Sequence, residues 1–527
     1  VQALKYSFSS KKNEMKMKRI VAILFLTSVS FSCSDSFLDV KNENELTAQN
    51  FFTKVSEFDL ALNGTYDAVK NLDLFGQTFY IQTLLSLAHE ADYWNAQCRN
   101  EVTPADGNVY IAWRGFYRIV ARANDIIENA PRFLATRNPT DADKTTLNLI
   151  VAQAQFLRGF AYFHLVRLWG EASYATDPSR LAVPLILKVA TSRDEMMIPR
   201  ATVEQVYDQI IKDFEFAAEN LPTAWDANNI ARVTRYAAKG FLGQVYLYME
   251  DYATARTYFE EVLTSNRYQL APFNRYEDLF LGNNEFSNES LWELNYVVDM
   301  AQNIWENGLG SGIALVIAPP GRGWSNCTPH GVNIFRFGSD PRLSIATYHQ
   351  DDLVAVTDGS MEPAGRSEFN YTGHSFKKYA PKNYSVLATN RNSGINYLVM
   401  RLADVYLMYA ETLNHLGEDG TAAEYVNKVR RRAYGFPANN PEPTVDYTGS
   451  GTALRDFIRE ERFKELFGEG HRWYDIVRWK IVKEEIEKYN DFRVTQGEII
   501  YHDKDYYYPI PLQELDNNTA MVPSTGY

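Results

Sequence analysis

Residues 234–264 read TRYAAKGFLGQVYLYMEDYATARTYFEEVLT. Ala237, Ala238, Leu242, Val245 and Tyr246 recur at helical steps, Glu250-Asp251-Tyr252 makes a turn, and Ala253, Ala255, Tyr258, Phe259 and Val262 recur on a second helix. Small residues where two antiparallel helices cross let the backbones approach, which is the packing logic of tetratricopeptide-type pairs. A second pair of the same design spans 397–433, with Leu402, Ala403, Tyr406, Leu407, Ala410 and Leu413, a turn at Gly417, then Ala422, Ala423, Val426 and Val429. The likeness of the two pairs is the internal repeat of the chain.

Working outward, helices dominate the first third. The segment from Thr47 places Phe58, Ala61, Leu62, Thr65, Tyr66 and Val69 on one face; 108–130 does so with Trp113, Phe116, Tyr117, Val120 and Ile127 and is expected to close at Pro131. The segment 145–170 continues with Ala152, Phe156, Phe160 and Phe163 up to a stop at Gly170. Between the two pairs, 266–395 changes character: Gly, Asn, Ser and Pro are frequent, as in Gly308-x-Gly310-x-Gly312 and Pro319-Pro320-Gly321-Arg322-Gly323-Trp324. Such a stretch reads as long loops with short strands. An insertion of that length is functional or disordered, and its aromatics Tyr296, Trp305, Trp324 and Tyr371 argue for order, so part of a ligand-facing surface is placed there. The chain divides into a leader (1–32), an N-terminal helical part (33–265), the insertion (266–395) and a C-terminal helical part (396–527).

The chain has 527 residues, 45% of them apolar, which is ample for a packed core and unlike a disordered or collagenous sequence. A net charge of −13 and a pI near 5.3 argue against a nucleic-acid binder, which would present a basic face. From Met15 or Met17 the sequence runs through Lys16, Lys18 and Arg19 into the apolar stretch Ile20 to Phe31, a secretion signal too short to cross a bilayer core that needs about 20 residues. Residues 1–14 read as translated upstream sequence. Ser30-Phe31-Ser32-Cys33 resembles a lipobox, in which the cysteine is acylated after cleavage and anchors the protein to a membrane. Cys98 and Cys327 then remain, without C-x-x-C spacing; a bridge between them is allowed in an oxidising compartment, and two buried free thiols are expected.

Motifs for catalysis fail on inspection. His89-Glu90-Ala91-Asp92-Tyr93 lacks the second histidine of a zinc helix, the glycines at 308–312 lack the spacing of a phosphate loop, and no nucleophile elbow is present. No cofactor and no metal are expected. Arg430-Arg431-Arg432 closes a helix and reads as a solvated or capping cluster. The most specific stretch runs from Glu460 to Trp479 (EERFKELFGEGHRWYDIVRW). Glu461 and Glu465 lie one turn apart, Gly470 permits a sharp turn, and Arg472, Asp475 and Arg478 follow. This reads as a charged corner pinning two helices, in preference to a catalytic carboxylate pair.

That stretch, preceded by Arg401-Leu402-Ala403-Asp404-Val405-Tyr406 through Glu411 and followed by Tyr508-Pro509-Ile510-Pro511-x-x-Glu514, resembles the SusD/RagB family of outer-membrane nutrient-binding lipoproteins. The likeness extends to Cys33-x-Asp35-x-Phe37-Leu38-Asp39, Trp113-x-x-x-Tyr117 with Ala123-Asn124, Phe156-Leu157-Arg158-Gly159 and the closing Gly526-Tyr527. The resemblance implies a mainly α fold, in which tetratricopeptide-like helical pairs form a right-handed superhelical scaffold with a loop-rich insertion carrying a few short strands. It implies a binder and not an enzyme, lipid-anchored through Cys33 on the exterior of the outer membrane. Such a protein captures oligosaccharide or polysaccharide, or peptides in some members, and passes it to a SusC-like TonB-dependent transporter. By position in the family, the ligand residues are Asp92, Tyr93, Trp94 and Asn95 from one segment and Tyr296, Trp305, Arg322 and Trp324 from the insertion. Sugar rings pack their C–H faces on aromatic faces while polar neighbours take the hydroxyls. The alternative is a peptide- or protein-binding scaffold lipoprotein that uses the grooves of the helix pairs.

Overall fold

A computed structural model describes residues 51–93, 95–298, 309–320, 322–324, 326–356, 360–365, 372–381, 392–491 and 498–527. Contacts divide the chain into two units, Val1–Thr53 and Lys54–Tyr527, and every element named below belongs to the second. Cys33 and its lipobox lie outside the described residues.

The body is mainly helical. In chain order its principal helices are α1 (Val55–Lys70), α2 (Ala96–Arg99), α3 (Gly107–Thr136), α4 (Asp141–Trp169), α5 (Val203–Asn220), α6 (Arg235–Tyr248) and α7 (Tyr252–Leu263). After the loop-rich segment with α8 (Ile313–Ile317) and α9 (Gly331–Phe337) come α10 (Leu402–His415), α11 (Asp419–Ala433), α12 (Gly451–Leu466) and α13 (Arg472–Arg478). Starts are fixed by side-chain caps: the hydroxyls of Thr140, Thr202 and Thr234 and the carboxylate of Asp251 accept the first free N–H groups of α4, α5, α6 and α7. Neighbours in sequence pack as antiparallel-type pairs, α3 on α4, α4 on α5, α6 on α7 and α10 on α11. In the α6–α7 pair, Gly243 faces the Phe259 ring so closely that a Cβ would lie 2.6 Å from it. This is the small-residue crossing that the sequence anticipates. Helix α4 is apolar and long enough to cross a membrane by composition, but it is packed inside the body as the central core helix.

Two boundaries differ from the sequence reading. Helix α3 runs through Pro131 to Thr136; proline removes one N–H donor and, with the rest of the helix packed on α1 and α4, does not end it. Residues Tyr397–Arg401 form a strand, not the start of a helix, because the run Tyr-Leu-Val-Met-Arg is buried on both faces against Ser290–Leu294. The described strands form five two-stranded antiparallel sheets: β1 (Ala91–Asp92) with β5 (Thr328–Pro329), β2 (Leu181–Pro184) with β3 (Arg200–Thr202), β4 (Ser290–Leu294) with β10 (Tyr397–Arg401), β6 (Thr347–His349) with β9 (His374–Phe376), and β7 (Leu353–Ala355) with β8 (Met361–Pro363).

The charged corner is larger than the sequence suggests. Glu465 accepts from Arg401 at 2.6 Å and Tyr276 at 2.9 Å and pairs with Arg432 and Arg342. Glu469 accepts from Arg401 at 2.7 Å and from Lys378 at 2.6 Å. Glu289 binds Arg401 at 2.7 Å and Arg432 at 3.1 Å, while Asp340 and Glu461 each hold Arg342 at 2.8 Å. All of these side chains are buried. The expectation of a solvated Arg430–Arg432 cluster is corrected accordingly. Arg432 is buried in this network, Arg431 is buried between Glu424 and Asp446, and Arg430 alone of the three is partly exposed, since a helix end packed against α12 and paired with Glu289 has little solvent to offer. Burial pushes the Glu465 carboxyl up, yet Arg432, Arg401 and Arg342 outweigh it and hold the group well below the ordinary carboxylate range. Glu465 is thus a buried carboxylate held by three arginines, the arrangement that the charged-corner reading expects. Because removing one partner strands the other charges, Glu465→Ala should lower unfolding free energy by about 3–5 kcal/mol. Denaturant titration of the variant against wild type measures this.

Candidate functional site

The segments singled out by sequence are brought together by the β1–β5 ladder, with Ala91 opposite Pro329 and Asp92 opposite Thr328. The site is thus built where the chain leaving the π-helical turn Phe79–Leu85 meets the return of the insertion. Tyr93 is buried beside this ladder, and its phenol contacts the side chains of Gln82 and Asn326. Asn95 is buried too. Its amide donates to Gln82 Oε1 at 2.6 Å, while its carbonyl oxygen caps α2 by accepting the Cys98 N–H at 2.9 Å. Asp92 approaches His330 Nε2 at 3.9 Å. Cys98 and Cys327 flank the ladder as buried cysteines, and the Cys98 thiol donates to the Ala91 carbonyl at 3.3 Å.

The second wall is the turn after α8. Trp324 N–H donates to the Leu315 carbonyl at 2.7 Å, and at Gly323 a Cβ would lie 2.3 Å from that same oxygen, so only glycine lets the chain fold back here. The fold-back presents the Trp324 side chain, 45% exposed. Arg322 is buried and serves the turn itself. Its guanidinium donates to the Pro320 carbonyl at 2.8 Å and to the Glu362 carbonyl at 3.3 Å, tying the turn to the β7–β8 hairpin. That hairpin carries exposed Leu353 and Met361, which lie on one face by register, Ala355 being opposite Met361. Sequence reading missed both; the only signal was the short alternation around Val354.

Of the sequence-predicted residues, Tyr93, Asn95, Asp92, Arg322 and Trp324 fall on these joined segments. Tyr296 does not join them. It is 3% exposed, its hydroxyl donates to the Lys70 carbonyl at 3.0 Å, and its backbone N–H donates to Asn396, so the ring is core and not a platform. Trp94 and Trp305 lie outside the described residues. No group of three His, Cys, Asp or Glu side chains among the described residues is placed to hold a metal.

Glu90 sits beneath the ladder. Its backbone carbonyl accepts the His330 N–H at 3.1 Å, and its carboxylate accepts the Gly468 N–H at 3.4 Å while its other oxygen has no hydrogen-bond partner among the described residues. Burial pushes this carboxyl up to about 8, with Arg472 and the Gly468 N–H pulling the other way.

The family models match on both halves of the chain. One described as "SusD family" covers residues 316–527 and one described as "Starch-binding associating with outer membrane" covers residues 36–247. The chain belongs to the SusD/RagB family. A SusD-like protein of Formosa agariphila is 26% identical over 97% of this chain and 98% of its own length, and one of Bacteroides ovatus is 28% identical over 93% and 88%. Among solved structures, a SusD superfamily protein of Bacteroides vulgatus matches with a TM-score of 0.73 at 23% identity over 90% of this chain and all (100%) of the other. A protein described as a laminarin-binding SusD-like protein matches with a TM-score of 0.69, at 23% identity over the same shares of the two chains. These likenesses confirm the tetratricopeptide-like helical fold.

The Glu90 geometry yields a pH prediction. Between the ordinary carboxyl value of 4.5 and about 8 the folded protein keeps a proton that the unfolded chain releases, so this group lowers stability as pH rises through that window. Glu90→Gln, neutral at every pH, should gain on wild type from under about 1 kcal/mol near pH 5 to about 3–4 kcal/mol near pH 8. Unfolding midpoints of the two proteins across that range measure the widening gap.

Proposed function

We propose that the protein is a surface glycan-binding lipoprotein that captures oligosaccharide or polysaccharide at the joined 91–95 and 322–363 segments. It then passes the ligand to a partner TonB-dependent outer-membrane transporter. The observation that carries the reading is Trp324: a large aromatic side chain, 45% exposed, on a turn that a buried arginine and a glycine-dependent fold-back hold rigidly beside the β1–β5 ladder. An indole in that setting offers a sugar ring a preorganised face, so little side-chain entropy is lost on binding. Trp94 and Trp305 count among the ligand residues in this reading, and Asp92 and the rim of the hairpin take hydroxyls. Membership of a family described as starch-binding and outer-membrane-associating supports the ligand class, as does the fold shared with a laminarin-binding neighbour. The lipobox at Cys33 supports attachment to the membrane, and the absence of a catalytic motif in the sequence supports a binder over a hydrolase.

Trp324→Ala should weaken binding to the best glycan in a laminarin and starch panel by roughly two- to tenfold. Because the side chain is about half exposed, unfolding free energy should fall by no more than about 1.5 kcal/mol, well short of a core aromatic deletion. Affinity electrophoresis and calorimetry on the full-length protein read the first, denaturant titration the second. Unchanged glycan affinity would remove the turn from the site, and capture of peptide in place of glycan would favour the scaffold alternative.

A further inference from the structure

A cavity of about 370 Å³ opens at the C-terminal end of α4, between α5, α6, α13 and the segment 503–507. That volume lies within the roughly 300–1,000 Å³ typical of small-molecule sites. None of its lining residues belongs to the 91–95 or 322–363 segments, so it owes nothing to the glycan surface.

Arg167 decides its chemistry. The guanidinium is stacked with its carbon 3.8 Å from the ring centres of both Phe163 and Tyr474. Its Nε donates to the Phe163 carbonyl at 2.9 Å, and Nη2 lies 3.3 Å from a ring nitrogen of His164. Burial and then the Arg167 charge push the pKa of that imidazole well below the ordinary value. Among the described residues no carboxylate pairs with Arg167, and none pairs with Lys480 at the mouth. The other charges of the wall are already satisfied. Arg478 is held by Glu411 at 2.5 Å and by Asp475 at 2.9 Å, and Glu171 is held by Arg180 and Arg200, each at 2.7 Å. Asp503 is the one remaining acid among the lining residues, so the wall carries an excess positive charge on a chain of net charge −13. The hydroxyls of Tyr207, itself 4% exposed, and Tyr248 make no hydrogen bond within the described residues. A half-buried guanidinium lacking a carboxylate partner and two phenols making no hydrogen bond among the described residues line one cavity as polar groups that a ligand can engage.

We propose that this cavity is a second ligand site, for a small hydroxylated carboxylate of one or two sugar units, a hexuronate being the simplest case. The carboxylate meets Arg167 and Lys480, and the ring hydroxyls meet Tyr207 and Tyr248. Calorimetry of the full-length protein with sodium galacturonate, galactose and sodium sulfate tests this. Galacturonate should bind at least about tenfold more tightly than galactose, which lacks the charge. Lys480→Gln and Tyr207→Phe should each weaken galacturonate by roughly three- to tenfold, the loss of one hydrogen-bonded contact. Thermal midpoints of both variants, matched to wild type, separate loss of the site from loss of the fold, and retained glycan binding at the Trp324 surface separates it from that reading. Equal affinity for galactose, galacturonate binding indifferent to both substitutions, or sulfate binding as tight as galacturonate would each overturn the proposal.

Discussion

Glu465 and Glu469 sit on the turn that ends α12, and through them the helical body and the loop-rich segment become one structure. Arg401 reaches both carboxylates from the end of β10, Arg432 comes from α11, Arg342 and Lys378 come from the segment between the helix pairs, and Glu289 closes the circuit from the residue before β4. Taking so many charges out of water costs more than any single pair returns, so the arrangement holds only when all partners are in place. Those partners are drawn from more than one hundred and seventy positions of sequence, between Glu289 and Glu469. Hydrophobic packing of α3 to α7 makes a helical stack by itself. The charges choose how the remaining half of the chain is laid against it.

The same turn reaches the proposed ligand-facing side. Tyr80 and Tyr397 donate their hydroxyls to the carbonyls of Gly468 and Glu469, at 2.5 and 2.7 Å, and the Gly468 N–H meets Glu90. Glu90 in turn carries the ladder that joins Asp92 to Thr328. The position of Trp324 therefore rests on a chain of contacts that ends in the buried charges. The two proposed sites would use different recognition logics on this frame. The turn at 319–324 offers an exposed, rigid apolar face, suited to a long polymer that slides across it. The cavity beside Arg167 is enclosed and charged, suited to a small molecule.

The helix pairs were legible because a period of three to four residues survives any tertiary context, and Gly243 against Phe259 is what Ala-rich crossings with an aromatic knob look like in space. The end of α3 was not, since Pro131 carries the same local signal whether or not packing overrides it. The stretch from Glu460 to Trp479 announced a charged corner, but its partners Arg342, Lys378 and Arg401 are distant in sequence and nothing local marks them. For the same reason Arg431 and Arg432 read as surface residues: an arginine stem looks alike in sequence whether its head meets water or a buried glutamate. At the site, Trp324 and Tyr296 were indistinguishable aromatics in a loop-rich segment. What separates them is that Gly323 throws one outward, while the hydroxyl of the other reaches the Lys70 carbonyl inside the body.

Hydrogen exchange of the full-length protein, compared between wild type and Glu469→Gln, bears most directly on whether the buried charges hold the two parts together. Loss of the bonds from Arg401 and Lys378 should reduce protection at once in 374–380, in 397–401 and in the 91–92 and 328–329 ladder, while α6 and α7 keep theirs. Loss confined to the turn at 466–472, with the ladder and both strands as protected as before, would contradict the account.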